Sequence, residues 1–246
     1  NGELAARLID LADSTAKGRP YAVSEFVSPG AVQIGETIQA HVPSLVLRTF
    51  GGYEGAERVK LAFVSADYDG PVDFGITACR LSWDDRYRLL GHRDVLGSLM
   101  SLGVGRERFG DIIMQEAGAI LLADTKLVPY LQQNFTKIAM VSIAIEEMPL
   151  EDIAPRQEKL KEIKTTVASL RLDAVASSGF GTSRTKAAEA IKGDRVQVNW
   201  QPAKGPSQDV SEGDVISLRG KGRMELAEIT GTSRKGRIGV LLKRYM

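Results

Sequence analysis

Cysteine is almost missing. Cys79 is the single one in 246 residues. One thiol excludes an internal disulfide and any cysteine-based zinc site, and it fits a reducing compartment. Histidine is as scarce: only His41 and His92 are available as imidazole bases or ligands, so no metal site is expected. No apolar run approaches the ~20 residues of a membrane-spanning helix, so no direct membrane insertion is expected. The opening "NGELAARLIDLADSTAKGRP" lacks the basic start and apolar centre of a secretory signal. Phosphate-loop and kinase signatures are lacking too. "GVGRERFG" (103–110) has the glycines without GK[ST]. "DFG" (73–75) and "HRD" (92–94) stand in the reverse of kinase order, with no catalytic-loop Asn and no ATP-covering glycine loop. "RLD" (171–173) echoes pseudouridine synthases, but no catalytic domain of adequate size follows it. No carboxylate pair or nucleophile elbow points to catalysis. The expectation is a non-enzymatic protein with no catalytic residue and no cofactor.

The composition, 43% hydrophobic and 26% charged, is that of a soluble globular protein with a sizeable core. A net charge of +1 hides an asymmetry. Residues 165–246 carry 14 Lys and Arg against 8 Asp and Glu, a balance of +6, whereas residues 1–164 carry 18 against 23, a balance of −5. A basic module on an acidic body points to an anionic partner for the module.

The pattern of elements predicts an α+β protein of three small domains. In the first, residues 1–70, Leu4, Leu8 and Leu11 share a helical stripe, and a second helix is predicted at 31–41. "LVLRTF" (45–50) and "VKLAFVSA" (59–66) read as strands around the Gly-rich "GGYEGAER". The second, residues 71–148, reads strand (72–82), helix (93–104), two strands with a tight turn near Ala117-Gly118, helix (125–135), and a last strand in "KIAMVSIAIEE". That β-α-β-β-α-β order is the ferredoxin-like, RRM-like arrangement. The aromatic signature with which such sheets stack RNA bases is absent. Residues 149–165, with two prolines and dense mixed charge, read as a linker. The third domain is residues 166–246.

In this third domain, Leu172, Val175, Ala176 and Gly179 form one helix face. Thr182 or Ser183 can cap a second helix with Ala187, Ala188 and Ile191 on its core face. "RVQVNW" reads as a strand with Val196, Val198 and Trp200 on one side. A second strand ends in the cationic loop "GKGR", and "MELAEI" and "RIGVLLKRY" read as a hairpin. The cations carry the functional signal. Arg184 and Lys186 lie in the first turn of the second helix, where the dipole favours phosphate. Lys192 and Arg195 flank the turn into the strand. Lys221 and Arg223 lie beside glycines that permit close backbone approach. A composite surface of this kind suits the shape of folded RNA.

The segments "LRLDAVASSGFGTSRTKAAEAIKGDRVQVNW" and "VSEGDVISLRGKGR" resemble the S4 RNA-binding domain. "GGYEGAER", "GHRDVLGSLMSLGVGRERFGDI" and "KIAMVSIAIEEMPLE" resemble the two N-terminal domains of the YlmH family, so the likeness covers essentially the whole chain. "ASLRLDAVASSGF" and "VNW" are most similar to photosystem II S4 domain proteins of photosynthetic lineages. The resemblance implies an α+β first domain, an RRM-like middle domain and a C-terminal S4 domain of two helices and a small sheet. It further implies that the partners are structured RNA, as rRNA or tRNA, on the large ribosomal subunit carrying peptidyl-tRNA of stalled translation; the sequence leaves the oligomeric state open, with a monomer favoured. The compartment implied is the cytoplasm, or the plastid stroma in a plant or alga. Carried over by position, the S4 surface falls on Arg171, Arg184, Lys186, Arg195, Lys221 and Arg223, with Asp194 departing from the usual small or cationic residue; Lys192 and Asn199 complete the expected RNA-binding set. His92, Arg93, Arg106 and Arg108 are candidates for a second RNA contact, and the segment that holds them reads equally as a fold motif or a partner surface. Two other functions fit the same outline: an RNA-modifying enzyme using the S4 domain as a handle, and a photosystem II assembly factor.

Overall fold

A computed structural model describes residues 2–84, 86, 89–116, 118–154, 160–233 and 236–245. The chain divides into two compact units, Asn1–Arg156 and Gln157–Met246. In the first, helix α1 (Gly2–Ala16) is followed by β1 (Tyr21–Val27), α2 (Pro29–Ala40), β2 (Leu45–Phe50) and β3 (Val59–Ser65). The strands pair antiparallel in the order β1-β3-β2. Leu8 and Ala12 of α1 and Ala31 of α2 close over Leu45, Leu61 and Phe63, which fixes the helices to one face of this small sheet.

The chain then forms β4 (Ile76–Trp83), α3 (His92–Met100), β5 (Phe109–Gln115), β6 (Gly118–Asp124), α4 (Val128–Asn134), β7 (Lys137–Ile138) and β8 (Val141–Met148). Their order, β5-β6-β4-β8-β7, with antiparallel neighbours, is the ferredoxin-like arrangement with a short added edge. The stretch "KIAMVSIAIEE" makes two strands rather than one. Ala139 adopts φ 52°, the left-handed turn that folds β7 back on β8. The turn expected at Ala117-Gly118 falls partly on residue 117, outside the described residues. Val95, Leu99, Val128 and Leu131 pack on Cys79, Leu81 and Leu121, so α3 and α4 cover one face of the sheet. A further cluster joins the two parts of this unit: Phe26 and Tyr53 pack with Ala78, Ile120, Leu122 and Ile153.

The second unit contains β9 (Leu160–Val167), α5 (Leu172–Phe180), α6 (Arg184–Lys192), β10 (Val196–Val198), β11 (Gln201–Pro202), β12 (Val215–Leu218), β13 (Gly222–Thr232) and β14 (Ile238–Tyr245). The sheet order is β11-β10-β12-β13-β14-β9. The segment expected as a linker over 149–165 is therefore partly structured. Leu150–Asp152 is a single 3-10 turn, and Leu160 onward pairs with β14 along its length. Alternation explains the strand: Ile163 and Val167 turn to the core while Glu162 and Lys164 face water. The helix face predicted from Leu172, Val175, Ala176 and Gly179 is buried. A Cβ on Gly179 would stand 1.9 Å from Met224 Sδ, so glycine lets α5 lie flat on β13. On α6 the buried residues are Ala187, Ala190 and Ile191, with Ala188 only half-buried.

Candidate nucleic-acid interface

Among the described residues, the candidate cations of the C-terminal unit are met in three settings. In the first, Arg171 precedes α5 and Arg184 opens α6, and both side chains converge on Asp173. Arg171 donates from Nε at 3.3 Å and Nη2 at 3.0 Å, and Arg184 from Nη2 at 3.1 Å. Asp173 is buried, with 7% of its side chain exposed, while the two arginines remain 40% and 50% exposed. Burial pushes the Asp173 carboxyl up, and the hydrogen bonds and charges of Arg171 and Arg184 outweigh it, so its pKa lies below the ordinary value. The same hydrogen bond raises the Arg171 pKa. Lys186, exposed, stands in the first turn of α6 beside Arg184. Its backbone N–H is capped by Ser183 Oγ at 3.2 Å. The N–H groups of Leu172 and Asp173 are likewise satisfied, by the carbonyls of Gln208 and Pro206. The helix starts thus present side-chain cations, with part of their backbone donors already satisfied.

In the second setting, one end of the sheet gathers cations from four segments. Arg195 leads into β10, Arg219 leaves β12, Lys221 precedes β13 and Arg244 nears the end of β14. The Arg219 N–H donates to the Arg195 carbonyl at 2.9 Å, and Arg244 Nη2 donates to the Lys221 carbonyl at 3.1 Å. Antiparallel register brings them together, since each strand ends where its neighbour begins. Lys192, the last residue of α6, is exposed three residues before Arg195. Arg244 lies opposite Met224 in register, in phase with buried Val240 and Leu242, and its guanidinium sits 5.7 Å from the Phe180 ring. It belongs to the helix-covered side of the sheet.

The third setting is the outer face of the sheet. Met224 faces α5, so Arg223 points the other way. Its guanidinium lies 4.4 Å over the Tyr245 ring, and Tyr245 donates to Glu225 at 2.9 Å. Asn199 is tied to the neighbouring turn. Its amide donates to Asp214 at 2.8 Å and accepts from the Val215 N–H at 2.9 Å. With φ 50°, Asn199 begins a left-handed turn that Trp200, at φ 60°, continues. Asn tolerates this conformation, so its role is to end β10 and Trp200 does not continue the Val196–Val198 face.

In the first unit, the arginines of "GVGRER" point inward. Arg106 donates to the carbonyls of Phe109 and Gly110, and Arg108 to Asp124 at 3.2 Å. Arg58, from "GGYEGAER", donates to the carbonyls of Phe109, Phe26 and Arg106. Asp111 accepts from the Tyr53 hydroxyl at 2.8 Å and from the N–H groups of Glu57 and Arg58. These motifs are a fold staple. Burial, reinforced by Arg58, pushes the Arg106 pKa down to about 10. Of the second-contact candidates, His92 and Arg93 remain on the surface, at the start of α3. Burial and then Arg106 lower the His92 pKa. The helix-free face of the β4–β8 sheet, where an RRM-like fold stacks bases, is closed at Ala78, Ile120 and Leu122 by Phe26, Tyr53 and Ile153. Among the described residues no group of His, Cys, Asp and Glu is arranged to hold a metal ion.

Sequence reasoning missed Arg219, Arg244 and the role of Asp173. Arg244 was marked by a cation in phase with the buried residues of its strand. Asp173 stood out only as part of "RLD", at a helix start, because its second partner Arg184 lies on another helix.

Residues 70–152 match the family described as "Putative RNA-binding domain in YlmH", and residues 170–216 match the S4 domain. The chain is 34% identical over 196 residues to ribosome-associated protein quality control protein P2 of Bacillus subtilis, covering 79% of this chain and 76% of that protein. It is 41% identical over 71 residues to small ribosomal subunit protein uS4 of Desulfotalea psychrophila, covering 28% of this chain and 34% of uS4. The fold is similar to that of a solved structure, cell division protein ylmH from Streptococcus pneumoniae. The TM-score is 0.51 at 22% identity, over 62% of this chain and 93% of that one. Identity at the level of the Bacillus relative, sustained over most of both sequences, shows that the chain belongs to the YlmH family.

Proposed function

We propose that this protein is a non-enzymatic RNA-binding protein of the ribosome. Its C-terminal unit would grip rRNA or tRNA backbone on the large subunit, in quality control of stalled translation. The observation that carries the reading is the placement of Arg171, Arg184 and Lys186 together at the helix starts, exposed, in a segment with a balance of +6. Arg244, Lys221, Arg195 and Lys192 form a second group of cations at the sheet end. Arg223 and Asn199 are left out of it, as are Arg106 and Arg108. The match to the S4 domain and the name of the Bacillus relative support the same direction. Recognition would be of backbone charge and shape rather than of base edges.

Sedimentation with ribosomal subunits at graded salt tests the reading. Co-migration with large subunits that is lost at high salt supports it. Nucleosides altered only when the protein is present would point instead to an RNA-modifying enzyme. Co-fractionation with thylakoid complexes after RNase treatment would point to a photosystem assembly factor. The predicted site is the cytoplasm or the plastid stroma. No helix among the described residues is long and apolar enough to cross a membrane.

A further inference from the structure

The buried carboxylate of Asp173 is a negative charge placed within a surface that the RNA reading requires to be positive. Simple electrostatics counts it as a defect. Among the described residues no backbone N–H donates to its side chain; its partners are Arg171 and Arg184, reached from before α5 and from the start of α6. Each guanidinium has five N–H donors. Arg171 commits two of its N–H-bearing nitrogens to Asp173 and Arg184 one, and both side chains stay 40–50% exposed.

We propose that Asp173 is a positioning residue for RNA binding, holding the guanidiniums of Arg171 and Arg184 as a preformed pair aimed at the phosphate backbone. This rests on the RNA reading above and deepens it. A free surface arginine loses rotamer entropy when it is immobilised on a phosphate. Here the immobilisation occurs on folding, because one desolvated carboxylate fixes both side chains. The triad still presents a net charge of +1, two guanidiniums against one carboxylate. The consequence has a sign opposite to that of bulk charge. Asp173→Asn raises the net charge by one, and a Coulombic account has it bind RNA more tightly. Positioning has it bind more weakly.

The experiment uses the full chain and unfractionated tRNA as probe, in filter binding over a salt series. Circular dichroism melting and the arginine Nε–H resonances are recorded in parallel. The variants are D173N, R171A/R184A, the triple combination of these, and R171K/R184K. The expected result is that D173N weakens binding about five- to tenfold, with loss of the ordered Arg171 and Arg184 Nε–H signals. In the R171A/R184A background the same change adds nothing, because Asp173 acts only through those two side chains. R171K/R184K keeps every charge and leaves Asp173 intact, yet loses affinity to a similar extent, since lysine has no planar fork to be held. It keeps the question answerable if D173N does not fold. Binding by D173N equal to or tighter than the parent overturns the proposal. So does a D173N loss that persists without the arginines, or R171K/R184K binding at the parental level. A parent chain that retains no tRNA in a salt-dependent manner overturns the RNA reading itself, which the parental titration alone reveals.

Discussion

Two arginine clusters in this chain look alike as sequence and differ as chemistry. "GVGRER" with "GGYEGAER" brings Arg58, Arg106 and Arg108 together in the first unit, and "LRLD" with "TSRTK" brings Arg171 and Arg184 together in the second. In the first cluster the guanidiniums turn inward to the carbonyls of Phe26, Arg106, Phe109 and Gly110 and to Asp124. Burial lowers the pKa of Arg58 and Arg106. In the second cluster two half-exposed guanidiniums share one buried carboxylate, whose hydrogen bond raises the pKa of Arg171. What separates a staple from a grip is where the remaining donors point, and that depends on residues distant in sequence.

The comparison is broken most forcefully through the buried pair next to the first cluster. Lys60, 4% exposed, donates to Asp124 at 2.9 Å and to the Gly75 carbonyl at 3.0 Å. Lys60→Ala removes the buried ammonium and leaves Asp124 only Arg108 and the Lys126 N–H as partners in a poorly solvated site; it is expected to destabilise the first unit by about 3 kcal/mol, measured by urea unfolding, with tRNA affinity unchanged. Arg106→Ala leaves the carbonyls of Phe109 and Gly110 short of a donor. It is expected to cost about 2 kcal/mol of stability, again without effect on RNA binding. Arg184→Ala inverts that pattern: affinity falls about tenfold, as for loss of a charge-assisted contact, while stability moves by less than about 1 kcal/mol. Equal effects of Arg106→Ala and Arg184→Ala on RNA binding would erase the distinction between the clusters.

Smaller effects come from pH. The carboxyls of Asp173 and Asp124 both lie below their ordinary pKa in the fold. A depressed folded pKa means stability that is present above the unfolded value of about 3.9 and lost as pH falls through the folded one. Both units should therefore lose melting temperature in acid, and Asp173→Asn should remove part of that dependence from the second alone. His92 also has a depressed pKa. Its contribution to the first unit is present above about pH 6.5 and declines in mild acid, a decline that His92→Gln should abolish in a melting series from pH 7 to 5.

Much of the architecture was readable from periodicity. The stripe Leu4, Leu8, Leu11, the strands at 45–50 and 59–66, and the face Leu172, Val175, Ala176, Gly179 are where hydrophobic spacing places them. Strand β1 escaped notice because its alternation is broken. Ser24 and Glu25 interrupt the apolar residues, a register shift separates Val23 from Phe26, and Ser24 Oγ accepts from the Leu61 N–H. The turns at Ala139 and at Asn199-Trp200 use positive φ without glycine, so nothing in composition marked them. Among the site residues, Arg171, Arg184 and Lys186 were placed by motif. The inward course of Arg106 and Arg108 was hidden, because their partners come from strands that sequence order does not align with them.

The most direct test of the account is the slope of log K against log salt for tRNA binding by the parent and by the Arg184→Ala/Lys186→Ala chain. Neutralising about six phosphates gives the parent a slope of about −4 to −5, and removing two of the cations should flatten it by about 1.5 to 2. A doubly substituted chain with the parental slope would show that the RNA is held somewhere other than the helix starts of the C-terminal unit.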